Sequence, residues 1–200
     1  MKIIEIKKEI NWGFWLLGKP LLVKKKYFGM ISENLSVEDE DDPGEVRFLP
    51  MDEDLISKCD GINGYKIKAL YNSDKDKGFS GIAMADGEEI VGFICGSHSL
   101  SYAWKYPDLK GDSFYIKYVF VDPNYRGKHY ARRLIRKLDE QCHEAVYTLM
   151  VREDNTNAIR AYEKVGFEKA FLRKFFVFPL IHKSLFYSYK NYKKRQKSGL

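Results

Sequence analysis

Two hundred residues, 44% of them hydrophobic, suffice for one domain with a real core and exclude wholesale disorder. The net charge of +6 is unevenly placed: residues 169–200 hold nine Lys or Arg and no acid, so the other 168 residues carry −3 and the basic character belongs to a tail. Cys59, Cys95 and Cys142 have no metal-ligand spacing and cannot all pair, which points to a reducing, cytoplasmic setting and to no metal.

Along the chain, Ile3, Ile6, Ile10, Phe14, Leu17 and Leu21 step by three or four and predict one apolar helical face that Gly18 and Pro20 end near Leu17. The opening lacks the apolar core and cleavage site of a secretory signal, and no run reaches the roughly 20 apolar residues of a spanning helix. Trp12, Trp15, Tyr27 and Phe28 lie beside lysines, which suits either packing on the core or an interfacial membrane segment. Six acids between Glu38 and Glu45, with Pro43-Gly44, mark an exposed linker. Residues 1–44 are therefore expected to be an N-terminal extension, residues 45–178 the domain proper and residues 179–200 a basic, aromatic tail.

Within the domain, Val46–Leu49 predicts a strand and Asp52–Lys58 a short helix with acids in its first turn. Residues 60–78 read equally as a loop with a short helix or as a weak strand pair. Phe79–Ala85 and Ile90–Cys95 flank Asp86-Gly87, a hairpin signal. After a polar, aromatic loop over 97–111 come a strand at Phe114–Val121, a helix at Tyr130–Cys142, a strand at Ala145–Val151, a helix at Asn155–Val165 and a strand over Phe167–Phe178. Hairpins followed by alternating strands and helices predict an α/β (α+β mixed) fold. Its central sheet is mixed, largely antiparallel and flanked by helices.

Two segments carry chemistry. In VDPNYRGKHYA, Pro123 ends a strand, Gly127 permits unusual backbone geometry, and a helix starts within a few residues. The first N–H groups of that helix lack intrahelical acceptors and suit a phosphate, with Arg126 and Lys128 adding charge. In NTNAIRAYEKVGF, Asn155, Ala158 and Tyr162 share one helix face. Asn155 suits a helix cap, and Tyr162 a core aromatic with its hydroxyl at the edge.

VDPNYRGKHYARRLIRKL resembles the acetyl-CoA motif of the GNAT superfamily, the GCN5-related N-acetyltransferases, and NTNAIRAYEKVGFEKA resembles its second motif. The resemblance follows element order over residues 45–178 and is specific over 114–170. It implies a GNAT-like acyl-CoA N-acyltransferase fold with acetyl-CoA as acyl donor. Backbone N–H groups of Arg126, Gly127, Lys128, His129, Tyr130 and Ala131 would hold the diphosphate. The strand at Val119, Phe120 and Val121 would pair with the pantetheine arm, Asn155 would contact the coenzyme, and Tyr162 would protonate the leaving thiolate. His129 departs from the family's usual glycine.

A phenol, with an ordinary pKa near ~10, stays protonated at neutral pH and can serve a weakly acidic leaving thiol. The amine must also lose a proton, and Asp112, Glu88, His98 or water are the candidates. The reading is an acyl-CoA-dependent N-acyltransferase acting on a primary amine by direct attack. The alternative is a non-catalytic CoA-fold module docking on a membrane surface or acidic partner. Partners would be an acyl-CoA and an amine acceptor, with peripheral membrane contact through either end and a homodimer left open. Nucleic-acid binding through the tail is disfavoured, since no recognition motif accompanies the charge.

Overall fold

The computed structural model describes residues 23–36, 46–98, 113–177 and 182–188. The expected N-terminal helix, the acidic linker, the loop at 99–111, Asp112 and the end of the tail lie outside them. The elements are β1 (Val23–Ser32), β2 (Arg47–Pro50), α1 (Glu53–Cys59), α2 (Ile67–Asp74), β3 (Ser80–Asp86), β4 (Glu89–Ser97), β5 (Phe114–Val121), α3 (Tyr130–Cys142), β6 (Tyr147–Arg152), α4 (Thr156–Lys164), β7 (Glu168–Val177) and β8 (His182–Ser188). The strands form one sheet in the order β2-β3-β4-β5-β6-β1-β7-β8. The β5–β6 pair is parallel and the other pairs are antiparallel. The α/β fold class is as expected.

Local chemistry explains the helices. Asp52 caps α1, its side chain accepting the Leu55 N–H at 2.8 Å, with Glu53 and Asp54 in the first turn and Lys58 in the last. In α3, Tyr130, Leu134, Ile135 and Leu138 form a stripe at most 1% exposed, while Arg136 and Lys137 reach Glu140 at 2.8 and 2.7 Å on the outer face. One core lies between the sheet and α3/α4 and a second between the sheet and α1/α2; Ile56, Cys59, Ile67 and Leu70 belong to the second. Residues 60–78, open between two readings in the sequence, hold α2 and two 3-10 turns.

The ends of the chain differ from expectation. Residues 23–32, assigned to an extension, form β1 in the body of the sheet, antiparallel to both β6 and β7. Residues 182–188, assigned to the tail, form β8 and pair with β7 from Phe171↔Ser188 to Val177↔His182. Lys24-Lys25-Lys26 hides β1 in the sequence by breaking the apolar alternation. Lys26 is solvent-exposed and ion-paired with Glu153 at 3.0 Å, whereas Met30 and Ile31 at the other end are 0% and 4% exposed.

A buried carboxylate links α2 to β4. Asp74, 3% exposed, accepts hydrogen bonds from Ser97 Oγ at 2.7 Å and Ser73 Oγ at 3.0 Å, and Lys77 Nζ lies at 3.4 Å. Burial opposes its ionisation, but these donors outweigh burial and hold its pKa below the ordinary carboxylate value. A depressed native pKa gives stability that is present above the unfolded value, near ~4, and is lost as pH falls through the native one. Asp74→Ala should cost about 1.5–3 kcal/mol at pH 7 by urea titration, and less as pH drops below about 4.

Candidate active site

The sheet is parted along one seam. β5 pairs with β4 from Ser97↔Tyr115 to Gly92↔Val121, but with β6 only at Phe114↔Tyr147, Tyr115↔Thr148 and Ile116↔Leu149. Lys117 is a bulge residue, falling between the Gly96↔Ile116 and Cys95↔Tyr118 pairs. A bulge bends and twists its strand, and here it coincides with the end of β5–β6 pairing. From Lys117 to Val121 the β6-facing edge of β5 has no strand partner among the described residues, an open length of roughly 13 Å. Val119, Phe120 and Val121, predicted to meet an extended arm, lie on that edge. Their side chains serve the two cores, Val119 and Val121 on the α3/α4 face and Phe120 on the other.

Beyond Val121 the chain turns into the predicted anion loop. Asp122 accepts the Asn124 N–H at 2.9 Å, and Pro123–Tyr125 form a 3-10 turn. The Arg126 N–H donates to Pro123 O at 3.3 Å and its Nε to Val121 O at 3.0 Å. The expectation for Arg126 is therefore corrected: its amide closes the turn, and only the rest of its guanidinium can face an anion. Gly127 has φ 86°, and His129 has φ 62° and ψ 12°. His129 thus adopts the left-handed geometry that glycine gives without strain, at a cost of about 1–2 kcal/mol.

Arg132 and Arg133 donate to His129 O at 2.9 and 3.3 Å, which starts α3. No backbone–backbone bond among the described residues uses the N–H of Gly127 or Ala131. Lys128 is exposed at this helix end. Tyr130 has its ring 1% exposed in the core, 6.4 Å from the Tyr125 ring, so it can contribute only backbone. A cavity of ≈ 590 Å³ on the hairpin side is lined by Asp86, Glu89, Asp122 and Lys128 among others. Its three carboxylates disfavour a diphosphate, which leaves the loop amides as the anion-seeking feature.

On the other side of the seam, Asn155 caps α4, its Oδ1 accepting the Ala158 N–H at 3.3 Å. Its cap role is thereby seen. Tyr162 is 8% exposed, packs on Phe167 at 5.9 Å, and no hydrogen bond within the described residues occupies its hydroxyl. Burial, with a smaller contribution from Tyr65, pushes its phenol well above the ordinary value, so it stays protonated. Tyr162 belongs to the α3/α4 core and Tyr65 packs on the α1/α2 core.

The two candidate bases among the described residues lie elsewhere. Glu88 sits in the exposed β3–β4 turn, and His98 Nε2 is 2.8 Å from Glu144 Oε1 beyond the end of β4. Sequence reasoning missed Tyr65 and gave Tyr118 no role. The first lies in the undecided 60–78 stretch, and the second alternates within a strand like any core aromatic.

A sheet parted between two parallel strands, with an anion-seeking helix end at its mouth, defines the GNAT-like acyltransferase fold. The chain belongs to the acetyltransferase (GNAT) family, whose sequence profile matches residues 44–167. It is 32% identical over 88 residues to the N-alpha-acetyltransferase RimI of Mycobacterium tuberculosis, covering 44% of this chain and 54% of that protein. The chain thus spans about half the length of this curated relative. Among solved structures it is similar to Arabidopsis thaliana NAA60 in complex with a bisubstrate analogue, at 20% identity and TM-score 0.51, over 72% of this chain and 99% of that one. It is also similar to a GCN5-related N-acetyltransferase from Sphaerobacter thermophilus, at 14% identity and TM-score 0.56, over 82% and 55%. These two likenesses concern the fold.

Proposed function

We propose that the chain is an N-acetyltransferase that moves an acetyl group from acetyl-CoA to a primary amine by direct attack. The observation that carries this is the parted seam, whose free β5 edge runs on into the turn before Gly127–Ala131, while Tyr162 shares the α3/α4 core with Val119 and Val121 of that edge. The open edge at Val119–Val121 suits an extended amide-bearing arm, which would add to the sheet as a strand does. Helix α3 offers its positive end to the diphosphate, each such contact being worth about 0.3–1 kcal/mol. Positioning supplies most of the rate, as much as roughly 7–11 kcal/mol in the best intramolecular models. The amine nitrogen forms the new C–N bond, the C–S bond breaks, and Tyr162 gives its proton to the departing sulfur.

The test is a calorimetric titration with acetyl-CoA, followed by a free-thiol release assay over an amine panel. Micromolar binding with amine-dependent release is expected; binding without release by any amine would refute transfer. Gly127→Val probes the loop alone, because nothing lies within 4 Å of a Cβ at Gly127 and the cost is conformational. At about 1–2 kcal/mol it should weaken acetyl-CoA binding roughly tenfold and leave kcat at saturation little changed.

A further inference from the structure

The anion loop has to hold its shape before a donor arrives, and that shape is strained. Gly127 and His129 have φ 86° and 62°, and a non-glycine residue keeps a left-handed geometry only where its surroundings over-determine it. The β3–β4 hairpin supplies part of those surroundings. At the start of the loop the Asp122 N–H donates to Val91 O of β4 at 2.8 Å. Three residues on, the Tyr125 hydroxyl donates to Oδ2 of Asp86, at the end of β3, at 2.6 Å. That spacing is short, as for a hydroxyl on an ionised carboxylate. The hairpin turn is held in its own right, since Arg47 Nη2 donates to Gly87 O at 2.5 Å.

Tyr125 also closes the 3-10 turn, its N–H donating to Asp122 O at 2.9 Å. Its ring packs against the α3/α4 core, 6.4 Å from the ring of Tyr130. One side chain thus joins the turn, the hairpin and the first residue of α3. The hydrogen bond to Asp86, with smaller effects of burial, Glu89 and Asp122, pushes the phenol up to about 12, so it remains a donor at neutral pH.

The geometry points to Tyr125 as a positioning residue for the acyl donor: by bonding Asp86 it clamps the Gly127–His129 segment to the hairpin in the shape that presents its amides to a diphosphate. This rests on the transferase reading above and adds a residue to its donor site. The sign of the effect separates the clamp from simple electrostatics. Asp86, Glu89 and Asp122 line one cavity with Lys128, and removing a carboxylate near an anion site should, by charge alone, strengthen the anion's binding. The clamp predicts the reverse for Asp86.

The experiment titrates acetyl-CoA calorimetrically into the full chain and its variants, and follows thiol release with an amine that the wild type accepts. Tyr125→Phe keeps the ring and removes the donor, and Asp86→Ala removes the acceptor. Each should raise the Kd for acetyl-CoA about fivefold, and the double variant no further, because either change breaks the same bond. The loss should appear in the KM for acetyl-CoA rather than in kcat at saturation. Asp86→Asn, whose amide oxygen still accepts, should stay within about twofold of the wild type. The bond is exposed, so the ligand-free melting point of Tyr125→Phe should move by no more than about 2 °C.

Tighter binding in Asp86→Ala, an unchanged Kd in Tyr125→Phe, or losses that add in the double variant would each overturn the clamp while leaving the transferase reading intact. So would a loss in Asp86→Asn equal to that in Asp86→Ala, which would assign the effect to charge. A melting drop of several degrees in Tyr125→Phe, with kcat falling alongside affinity, would make Tyr125 a folding residue and remove the positioning role. If the wild type binds no acetyl-CoA, both readings fail together. Should Asp86→Ala not fold, Tyr125→Phe decides alone.

Discussion

Tyr162→Phe should bind acetyl-CoA as the wild type does and turn over about 10²–10⁴-fold more slowly at saturating amine. The split follows from where the ring and the hydroxyl sit. The ring belongs to the α3/α4 core beside Phe167, and phenylalanine fills the same space. No hydrogen bond among the described residues holds the hydroxyl, so removing it breaks none of them. What is lost is the proton for the sulfur. The pH dependence is a second signature. Because burial raises this phenol above its ordinary value, the acid form persists through neutral and moderately alkaline pH. Wild-type kcat should therefore show no decline from this group between about pH 6 and 9. Full turnover in Tyr162→Phe, measured by thiol release, would assign the proton to another donor.

Much of the fold was legible because local signals agreed with the tertiary result. Phe114–Val121 and Tyr130–Cys142 have strand and helix bounds identical to those expected, since Pro123 and the apolar stripe of α3 punctuate the sequence strongly. The strand–turn–helix connection around Gly127 was legible for the same reason. Its details were not: that Arg126 turns its amide to Pro123 O depends on a 3-10 turn that a Pro-Asn-Tyr string suggests only weakly. That His129 adopts a positive φ could not be read from residue type, because histidine there is ordinarily right-handed. The α1/α2 face was the least visible: Tyr65 and Tyr118 are far apart in sequence and pack at 5.0 Å, a contact that no periodicity encodes.

Strand β1 is the other feature hidden in the sequence, and its removal should have the largest structural effect. A chain lacking residues 1–36 is expected to lose cooperative unfolding and acetyl-CoA binding together, whereas one lacking residues 1–22 keeps every described element. β1 supplies both neighbours that β6 and β7 would otherwise lack: Tyr27↔Arg152 through Ser32↔Tyr147 on one edge, and Val23↔Phe176 through Ile31↔Glu168 on the other. Its loss would open a seam on the second side of β6, which is tied to β5 by only three residue pairs. Each orphaned backbone group buried there would cost about 1–3 kcal/mol, and several together exceed the roughly 5–15 kcal/mol that keeps a domain folded. The packing is as specific as the pairing. The Phe171 ring, 4% exposed, lies where a Cβ on Gly29 would stand, so Gly29→Val forces a core aromatic aside. Overpacking of that kind costs about 1–3 kcal/mol, a drop measurable by thermal melting against the full chain. The family match begins at residue 44 and omits β1, yet β6, the wall of the seam opposite Val119, depends on it. A cooperative melt at the wild-type midpoint from the chain lacking residues 1–36 would show that β6 and β7 can close on each other without it.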